Sequence, residues 1–117
     1  MTLSVVMAVG GTQRSGWREF VASVDISNPA SFLPGAVLRD LGIAPSMTRS
    51  FTRADGCIRD LDFGYAWLRL NDREGMTCFV FDEDNRQPRL GRIAINSLLL
   101  EVDQAQNKLV PMTTLLL

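Results

Sequence analysis

The sequence predicts an all-β barrel or sandwich that carries two short helices. Runs of branched and aromatic residues recur along the chain, and turn residues interrupt them about every ten positions. Only two segments show the apolar spacing that indicates a helix, and both are short. A chain of 117 residues has the length of one domain, which we expect to span residues 1–117.

Two strands are predicted at the beginning of the chain. The first covers residues 3–9, which are rich in valine and are followed by two glycines. The second covers residues 17–24, and the short connection predicts that the two strands pair antiparallel. Because Ala22 and Val24 are two positions apart, we expect them on one face of the second strand. Asp25 then lies where this strand leaves the sheet.

Two short segments are predicted to be helices. Residues 34–41 begin with Pro34 and end just before Gly42, which is the asymmetry that helix ends favour. Residues 93–99 form the second helix, shortly after Gly91. Neither segment is long enough to change the all-β class of the fold.

Two hairpins are predicted between these helices. Residues 47–53 and 57–61 flank an Asp-Gly pair, which is a strong hairpin signal. Residues 65–70 and 76–81 flank a polar turn, and their aromatic and branched side chains favour the centre of the sheet. Residues 82–89 are expected to form a solvated charged loop, because their acids lack the spacing of a calcium-binding loop. The last two strands are predicted at residues 100–102 and 108–112.

The composition excludes several classes of function. Twelve basic and thirteen acidic residues leave a net charge of -1, so no basic surface indicates nucleic-acid binding. The chain contains no histidine, which excludes Ser-His and Cys-His nucleophilic catalysis and removes the commonest metal ligand. We therefore expect no metal, no other cofactor and no nucleic-acid partner.

The two cysteines, Cys57 and Cys78, are far apart, which fits neither a zinc site nor a disulfide framework. We expect both to be reduced core or near-core residues of a cytoplasmic protein. The N-terminus lacks a basic segment followed by an apolar stretch, and no apolar run is long enough to span a membrane. Neither a secretion signal nor a membrane partner is expected.

Asp25 is the first candidate functional residue. A carboxylate at the end of a buried strand is costly unless it is hydrogen-bonded, paired or used. A structural interpretation is also open, in which Asp25 only caps the loop through Ser27 and Asn28. The residues alone do not separate a functional carboxylate from a turn residue.

Several short segments follow Asp25 at distances in the sequence that match a known family. The strand ends in Asp25-Ile26-Ser27-Asn28, then come Leu33-Pro34, a short helix and Leu41-Gly42-Ile43. Leu90-Gly91-Arg92 precedes the second helix near the other end of the chain. This order and spacing resembles the retropepsin-like aspartic proteases, in particular the small single-domain microbial ones. The resemblance covers about residues 16–110, and it is carried by the order of the parts.

The resemblance implies an acid-protease half-barrel that hydrolyses peptide bonds. In that reaction two carboxyl groups share one proton, and one activates water while the other protonates the scissile carbonyl. This chain offers one such carboxylate, so the resemblance implies a homodimer to which each subunit contributes its Asp25. The implied partners are a second copy of the chain and a peptide or protein substrate.

The resemblance also implies roles for the residues around Asp25. In that family the tip of a hairpin closes over substrate, and residues 54–56 of this chain resemble that tip. Turn chemistry alone also explains the Asp-Gly pair within them. The implied substrate-binding residues are Ser27, Asn28, Ala54, Asp55 and Gly56. The implied dimer-interface residues are Ile26 and Arg92.

Two departures from the family's Asp-Thr-Gly motif leave two functions open. The family's threonine hydrogen-bonds across the dimer, whereas Ile26 has no hydroxyl group. The family's glycine permits a tight bend, whereas Ser27 carries a Cβ atom. The sequence therefore predicts either an aspartic endopeptidase or a catalytically degenerate module that binds peptide or protein segments or only dimerises.

Overall fold

The computed structural model describes residues 3–84 and 86–113. Its strands are β1 (Leu3–Gly10), β2 (Arg18–Asp25), β3 (Ser31–Pro34), β4 (Met47–Thr52), β5 (Ile58–Leu70), β6 (Arg73–Asp82), β7 (Arg89–Gly91), β8 (Leu100–Asp103) and β9 (Lys108–Pro111). Its helices are α1 (Gly35–Asp40) and α2 (Arg92–Ser97). The prediction of an all-β barrel with two short helices is confirmed. Within the described ranges, no helix has the length and apolar character that crossing a membrane requires.

Six strands close into a barrel. Their order is β1-β2-β7-β3-β6-β5, and β5 pairs with β1 to complete the circle. β1 and β2 are antiparallel, as predicted. β4 pairs with β5 outside this circle and is therefore the last strand of the sheet on that side. β8 and β9 form a separate two-stranded sheet.

The longest strand, β5, joins the barrel to the β4–β5 hairpin. Its residues 58–63 pair with β4, and its residues 67–70 pair with β1. The prediction of separate strands at 57–61 and 65–70 is wrong, because the chain stays extended through Gly64. A Cβ atom added to Gly64 would lie 2.9 Å from side-chain atoms of Ile43 and Phe81. This glycine therefore permits close packing inside a strand, whereas residues 62–64 lie outside the two strands that the sequence predicts.

The core lies inside the barrel and under the two helices. Its largest fully buried side chains include Phe79 and Phe81 of β6 and Leu33 of β3. Leu38 of α1 and Ile95 of α2 are buried against the same cluster. Each such side chain stabilises the folded state by about 1.5–3 kcal/mol relative to exposure. The barrel is thus held mainly by apolar packing of alternate strand residues.

Two short strands were not predicted. Ser31–Pro34 (β3) pairs parallel with β6, and Arg89–Gly91 (β7) pairs parallel with β2. Each is only three or four residues long, and its partner is remote in the sequence. Such strands leave no local pattern of alternation and depend on the partner for their hydrogen bonds.

The first helix ends as predicted. Gly42 adopts a φ of 77°, a conformation that favours glycine. Its N–H donates to the Arg39 carbonyl at 2.9 Å, and the Ile43 N–H donates to the Leu38 carbonyl at 3.0 Å. These bonds satisfy carbonyl groups that the helix end would otherwise leave unpaired. The helix occupies Gly35–Asp40, within one residue of the prediction at each end.

The β1–β2 loop is fastened to the β5–β6 hairpin by a stack of charged and aromatic side chains. Glu74 accepts hydrogen bonds from Arg14 at 2.6 Å and from Arg69 at 3.1 Å. The Arg69 guanidinium lies 4.1 Å from the centre of the Trp17 ring, and that of Arg14 lies 5.0 Å from the centre of the Trp67 ring. Glu74 is therefore the central group that holds both arginines over their aromatic partners.

Candidate functional site

Asp25 is the last residue of β2 and is half-buried. Its Oδ1 accepts two hydrogen bonds from Ser27, one from the N–H at 3.1 Å and one from Oγ at 2.5 Å. Its carbonyl oxygen accepts the Asn28 N–H at 3.2 Å. Within residues 3–84 and 86–113, Oδ2 of Asp25 accepts no hydrogen bond and joins no ion pair. One carboxylate oxygen is thus fixed by the turn and the other is left for a further partner.

A close backbone contact holds the loop that follows Asp25. Gly91 pairs with Asp25 across the parallel β2–β7 strands. A Cβ atom on Gly91 would overlap the carbonyl oxygen of Ala30 and would lie 2.7 Å from that of Asn28. The Gly91 N–H also donates to Oγ of buried Ser31 at 3.0 Å. Only glycine gives β7 this approach, so Gly91 fixes where Asp25 stands.

Arg92 supports the same loop through its backbone and its side chain. Its N–H donates to the Asn28 carbonyl at 3.0 Å. Its Nη1 lies 3.4 Å from the carbonyl oxygens of Ile26 and Ser27. These long hydrogen bonds give the guanidinium its partners within the chain. The structure therefore brings together five of the candidate residues: Asp25, Ile26, Ser27, Asn28 and Arg92.

Ile26 lies at the edge of a surface depression of about 310 Å³. The side chain is 39% exposed. The depression is lined by Leu3, Val24, Ile26, Val102, Gln104 and Asn107. Four of these lining residues are apolar and two are polar, so the depression is a mixed surface. The predicted interface role of Ile26 concerns this surface beside Asp25.

The tip of the β4–β5 hairpin contains the other three candidate residues, Ala54, Asp55 and Gly56, which are all exposed. Gly56 has a φ of 86°, and its N–H donates to the carbonyl three positions earlier at 3.0 Å. The Cys57 N–H donates to Asp55 Oδ1 at 3.0 Å and lowers the pKa of this carboxyl group. Among the described residues, no hydrogen bond joins this tip to the loop that carries Asp25. The predicted hairpin is present, and turn chemistry accounts for its tip.

An open apolar groove of about 360 Å³ separates the hairpin from the Asp25 loop. One wall consists of Met47, Arg49 and Phe51 of β4, together with residues of β5 and β6. The opposite wall begins at Pro29, directly after the Asp25 loop, and continues with Ile93 of α2. We call this cavity the hairpin groove. Its lining residues are Pro29, Ala30, Ser31, Met47, Arg49, Phe51, Phe63, Tyr65, Cys78, Ile93 and Ala94.

A second, smaller cavity of about 160 Å³ lies beyond Phe51, whose ring lines both spaces. Its charged groups are paired: Arg59 donates to Asp84 at 3.0 Å, and this hydrogen bond lowers the pKa of the Asp84 carboxyl group. Arg86 lies 3.4 Å from a carboxylate oxygen of Asp82. The Arg59–Asp84 pair connects the hairpin to the loop after β6, and the Arg86–Asp82 pair connects that loop to the end of β6.

Two sequence-based expectations about this region need correction. The acidic residues 82–84 do not all lie in a solvated loop, because Asp82 is the last residue of β6, is only 4% exposed and accepts the Asp84 N–H at 3.0 Å. Cys57 is exposed, since it follows the hairpin tip, whereas Cys78 is half-buried in the hairpin groove. Burial raises the pKa of the Cys78 thiol. Both cysteines are free, as expected.

Sequence reasoning missed most of the hairpin groove and the role of Ser31. The alternation of Met47, Arg49 and Phe51 was available as a signal, because residues two apart on a strand share a face. No local signal placed Ile93 or Ser31 beside them, since that juxtaposition depends on the barrel closing. A comparison with models of known protein families and a comparison with curated proteins each find no match for this chain.

Proposed function

We propose that this chain is an aspartic-type endopeptidase that hydrolyses peptide bonds through an Asp25 pair shared across a homodimer. One observation carries the proposal. Ser27 fixes one Asp25 carboxylate oxygen, the other lacks a partner among the described residues, and an apolar groove begins beside the loop. A carboxylate held by one oxygen beside a groove has the arrangement that general acid–base catalysis needs.

The reaction uses two such carboxyl groups that hold a single proton between them. The ionised group removes a proton from a water molecule, and the water oxygen attacks the scissile carbonyl carbon. The protonated group donates its proton to the carbonyl oxygen. Collapse of the tetrahedral intermediate then breaks the carbon–nitrogen bond, and the amine leaves with a proton. The extended peptide lies between the Asp25 loop and the hairpin tip, where Ser27, Asn28 and Ala54 to Gly56 contact it.

The homodimer is supported by the surface beside Asp25. Ile26 is exposed in a depression that it lines together with Leu3, Val24 and Val102, and burying these apolar side chains against a second copy removes them from water. In this arrangement Ser27, Asn28 and Arg92 lie near the two-fold axis. Ile26 contributes apolar packing there, in place of a hydrogen bond. The leucines at 115–117 are apolar and are therefore further candidates for this interface, but they lie outside the described residues.

A second function is a non-catalytic module of the same fold that binds peptide or only dimerises. It is favoured by the 2.5 Å hydrogen bond from Ser27 Oγ to Asp25 Oδ1, because this bond completes the turn without a contribution from a second subunit or a substrate. In this alternative Asp25 is a turn residue, and the groove binds a segment without cleaving it.

The test compares peptide cleavage by the wild type, Asp25→Asn and Asp72→Asn over acidic to neutral pH. Asp72 is exposed in the β5–β6 turn and is a matched control for loss of one carboxylate. We expect Asp25→Asn to abolish cleavage and Asp72→Asn to preserve it, with the wild type sedimenting as a dimer. A monomer at micromolar concentration, or cleavage that survives Asp25→Asn, contradicts the proposal.

The alternative is tested by the double variant Ile26→Thr, Ser27→Gly. If the wild type is inactive and this variant cleaves peptides in an Asp25-dependent manner, the non-catalytic module is supported. Robust proteolysis by the wild type overturns that alternative.

A further inference from the structure

Arg49 is the residue of the hairpin groove that the fold leaves without a partner. It is exposed on β4, and its side chain makes no hydrogen bond, ion pair or ring contact within residues 3–84 and 86–113. The three arginines that line the neighbouring cavity, Arg53, Arg59 and Arg86, are each within 4 Å of a carboxylate oxygen. Among the described residues that line the hairpin groove, Arg49 is also the only charged one. The groove is therefore apolar with one unneutralised positive charge.

The wall that carries Arg49 is an open strand edge. β4 pairs with β5 on one side and is the last strand of its sheet on the other. An exposed edge presents unpaired backbone N–H and carbonyl groups, to which an extended peptide adds as a further strand. The groove volume of about 360 Å³ lies at the low end of ligand pockets, which are roughly 300–1,000 Å³. This volume admits individual side chains of an extended segment.

The spacing along β4 sets the pattern of side chains that fits. Met47, Arg49 and Phe51 are each two positions apart, so they share one face of β4, and all three line the groove. Residues two apart on a strand are separated by about 6.5–7 Å, in β4 and in an added peptide strand alike. A peptide carboxylate opposite Arg49 thus places the side chain two positions away opposite Met47 or Phe51.

We propose that the hairpin groove selects extended peptides in which an acidic residue and a large apolar residue are separated by one position. The acidic side chain pairs with Arg49, and the apolar side chain packs on Met47 or Phe51 and on Ile93 across the groove. This inference rests on the proposed function in that both place a peptide beneath the hairpin. It goes further in naming the chemistry of the peptide.

The test measures peptide binding to the Asp25→Asn chain, which removes cleavage from the measurement. The probes are three fluorescein-labelled octapeptides that differ at one position, containing Glu-Thr-Phe, Gln-Thr-Phe or Lys-Thr-Phe. We expect the Glu peptide to bind about two- to fivefold more tightly than the Gln peptide, as for opposite charges across adjacent strands or on a surface. The Lys peptide is expected to bind most weakly.

Variants of arginine assign this preference to one side chain. Arg49→Gln is expected to bind the Glu and Gln peptides equally, and Arg49→Glu to prefer the Lys peptide. Arg18→Gln is the matched control, because Arg18 is exposed on β2 outside the hairpin groove. Its side chain lies 3.9 Å from an Asp40 carboxylate oxygen and 5.6 Å from the centre of the Phe20 ring. A preference for the Glu peptide that persists in Arg49→Gln, or disappears in Arg18→Gln, overturns the inference.

Cys78 reports independently whether the peptide occupies the groove, and the Asp25→Asn chain is used again so that the peptide is not cleaved during the measurement. In a Cys57→Ser background, saturating Glu peptide is expected to slow alkylation of Cys78 at least about threefold, because Cys78 lines the groove. Unchanged alkylation at saturation overturns the inference. Wild-type cleavage without preference for acidic peptides overturns it and leaves the peptidase proposal intact. Arg49-dependent binding without any wild-type cleavage supports this inference and overturns the peptidase proposal.

Discussion

Replacing Gly91 by alanine is expected to be among the most damaging single-methyl changes in this chain. Gly91 has φ -93° and ψ 172°, a backbone conformation that any residue adopts, so the cost is not one of dihedral strain. The added methyl group instead overlaps the carbonyl of Ala30 and lies 2.7 Å from that of Asn28. Both obstacles are backbone atoms, so rotation of a side chain cannot relieve the overlap.

The magnitude follows from what must move. Forcing a methyl group into packed backbone costs about 1–3 kcal/mol. Separating β7 from the Asp25 loop also weakens two hydrogen bonds, from Gly91 N–H to Ser31 Oγ and from Arg92 N–H to the Asn28 carbonyl. At about 1 kcal/mol each, these bring the expected loss of unfolding free energy to roughly 3–5 kcal/mol. That is a large share of the roughly 5–15 kcal/mol by which domains are stable.

The assay is urea unfolding followed by the fluorescence of Trp17 and Trp67. With a slope of about 2 kcal/mol per molar urea, Gly91→Ala is expected to lower the midpoint by about 2 M. Gly56→Ala is the control, since nothing lies within 4 Å of its added Cβ atom but its φ is 86°. Its expected cost of about 1 kcal/mol lowers the midpoint by about 0.5 M. A loss for Gly91→Ala no larger than that for Gly56→Ala refutes the steric argument.

Two further predictions concern titratable groups. The hydrogen bond from Arg14 lowers the pKa of Glu74 in the folded chain, so the carboxylate stabilises the fold above the ordinary glutamate pKa and less as the pH falls below it. The urea midpoint of Glu74→Gln is therefore expected to lie below that of the wild type at about pH 7 and to converge with it near pH 3. A difference between the two midpoints that does not change with pH contradicts this prediction. So does an equal effect of Glu19→Gln, which alters an exposed glutamate. Burial raises the pKa of the Cys78 thiol, so iodoacetamide is expected to modify exposed Cys57 first, as mass spectrometry of timed samples measures. Equal rates for the two thiols in the folded chain contradict that prediction.

Strong local signals predicted several elements closely. The Asp-Gly pair placed the β4–β5 hairpin, because its turn requires residues that tolerate positive φ. Pro34 and Gly42 placed helix α1 to within one residue, because the start and end of a helix have distinct backbone requirements. The run of valines placed β1, and the position of Asp25 at the end of β2 followed from the same alternation.

Signals of the same kind failed where tertiary contacts competed with local preference. The sequence predicts Gly64 between two strands, yet it lies inside β5, where neighbouring core side chains occupy the space that a Cβ atom would need. Free cysteine is a residue type that is usually buried, but Cys57 is exposed because it directly follows the hairpin tip. Asp82 belongs to an acidic cluster, but it ends a barrel strand and is buried there.

The candidate site also has features that the sequence predicts and features that depend on the tertiary structure. The sequence by itself determined an all-β chain, its main hairpins and helices, and a carboxylate at the end of a buried strand, because alternation and turn chemistry act between near neighbours. Only the tertiary structure decided that Gly91 packs against the Asp25 loop, that β3 and β7 exist, and that Arg49 faces an apolar groove. Those features join segments that are remote in the sequence, and their hydrogen bonds and shape exist only once the six strands have closed.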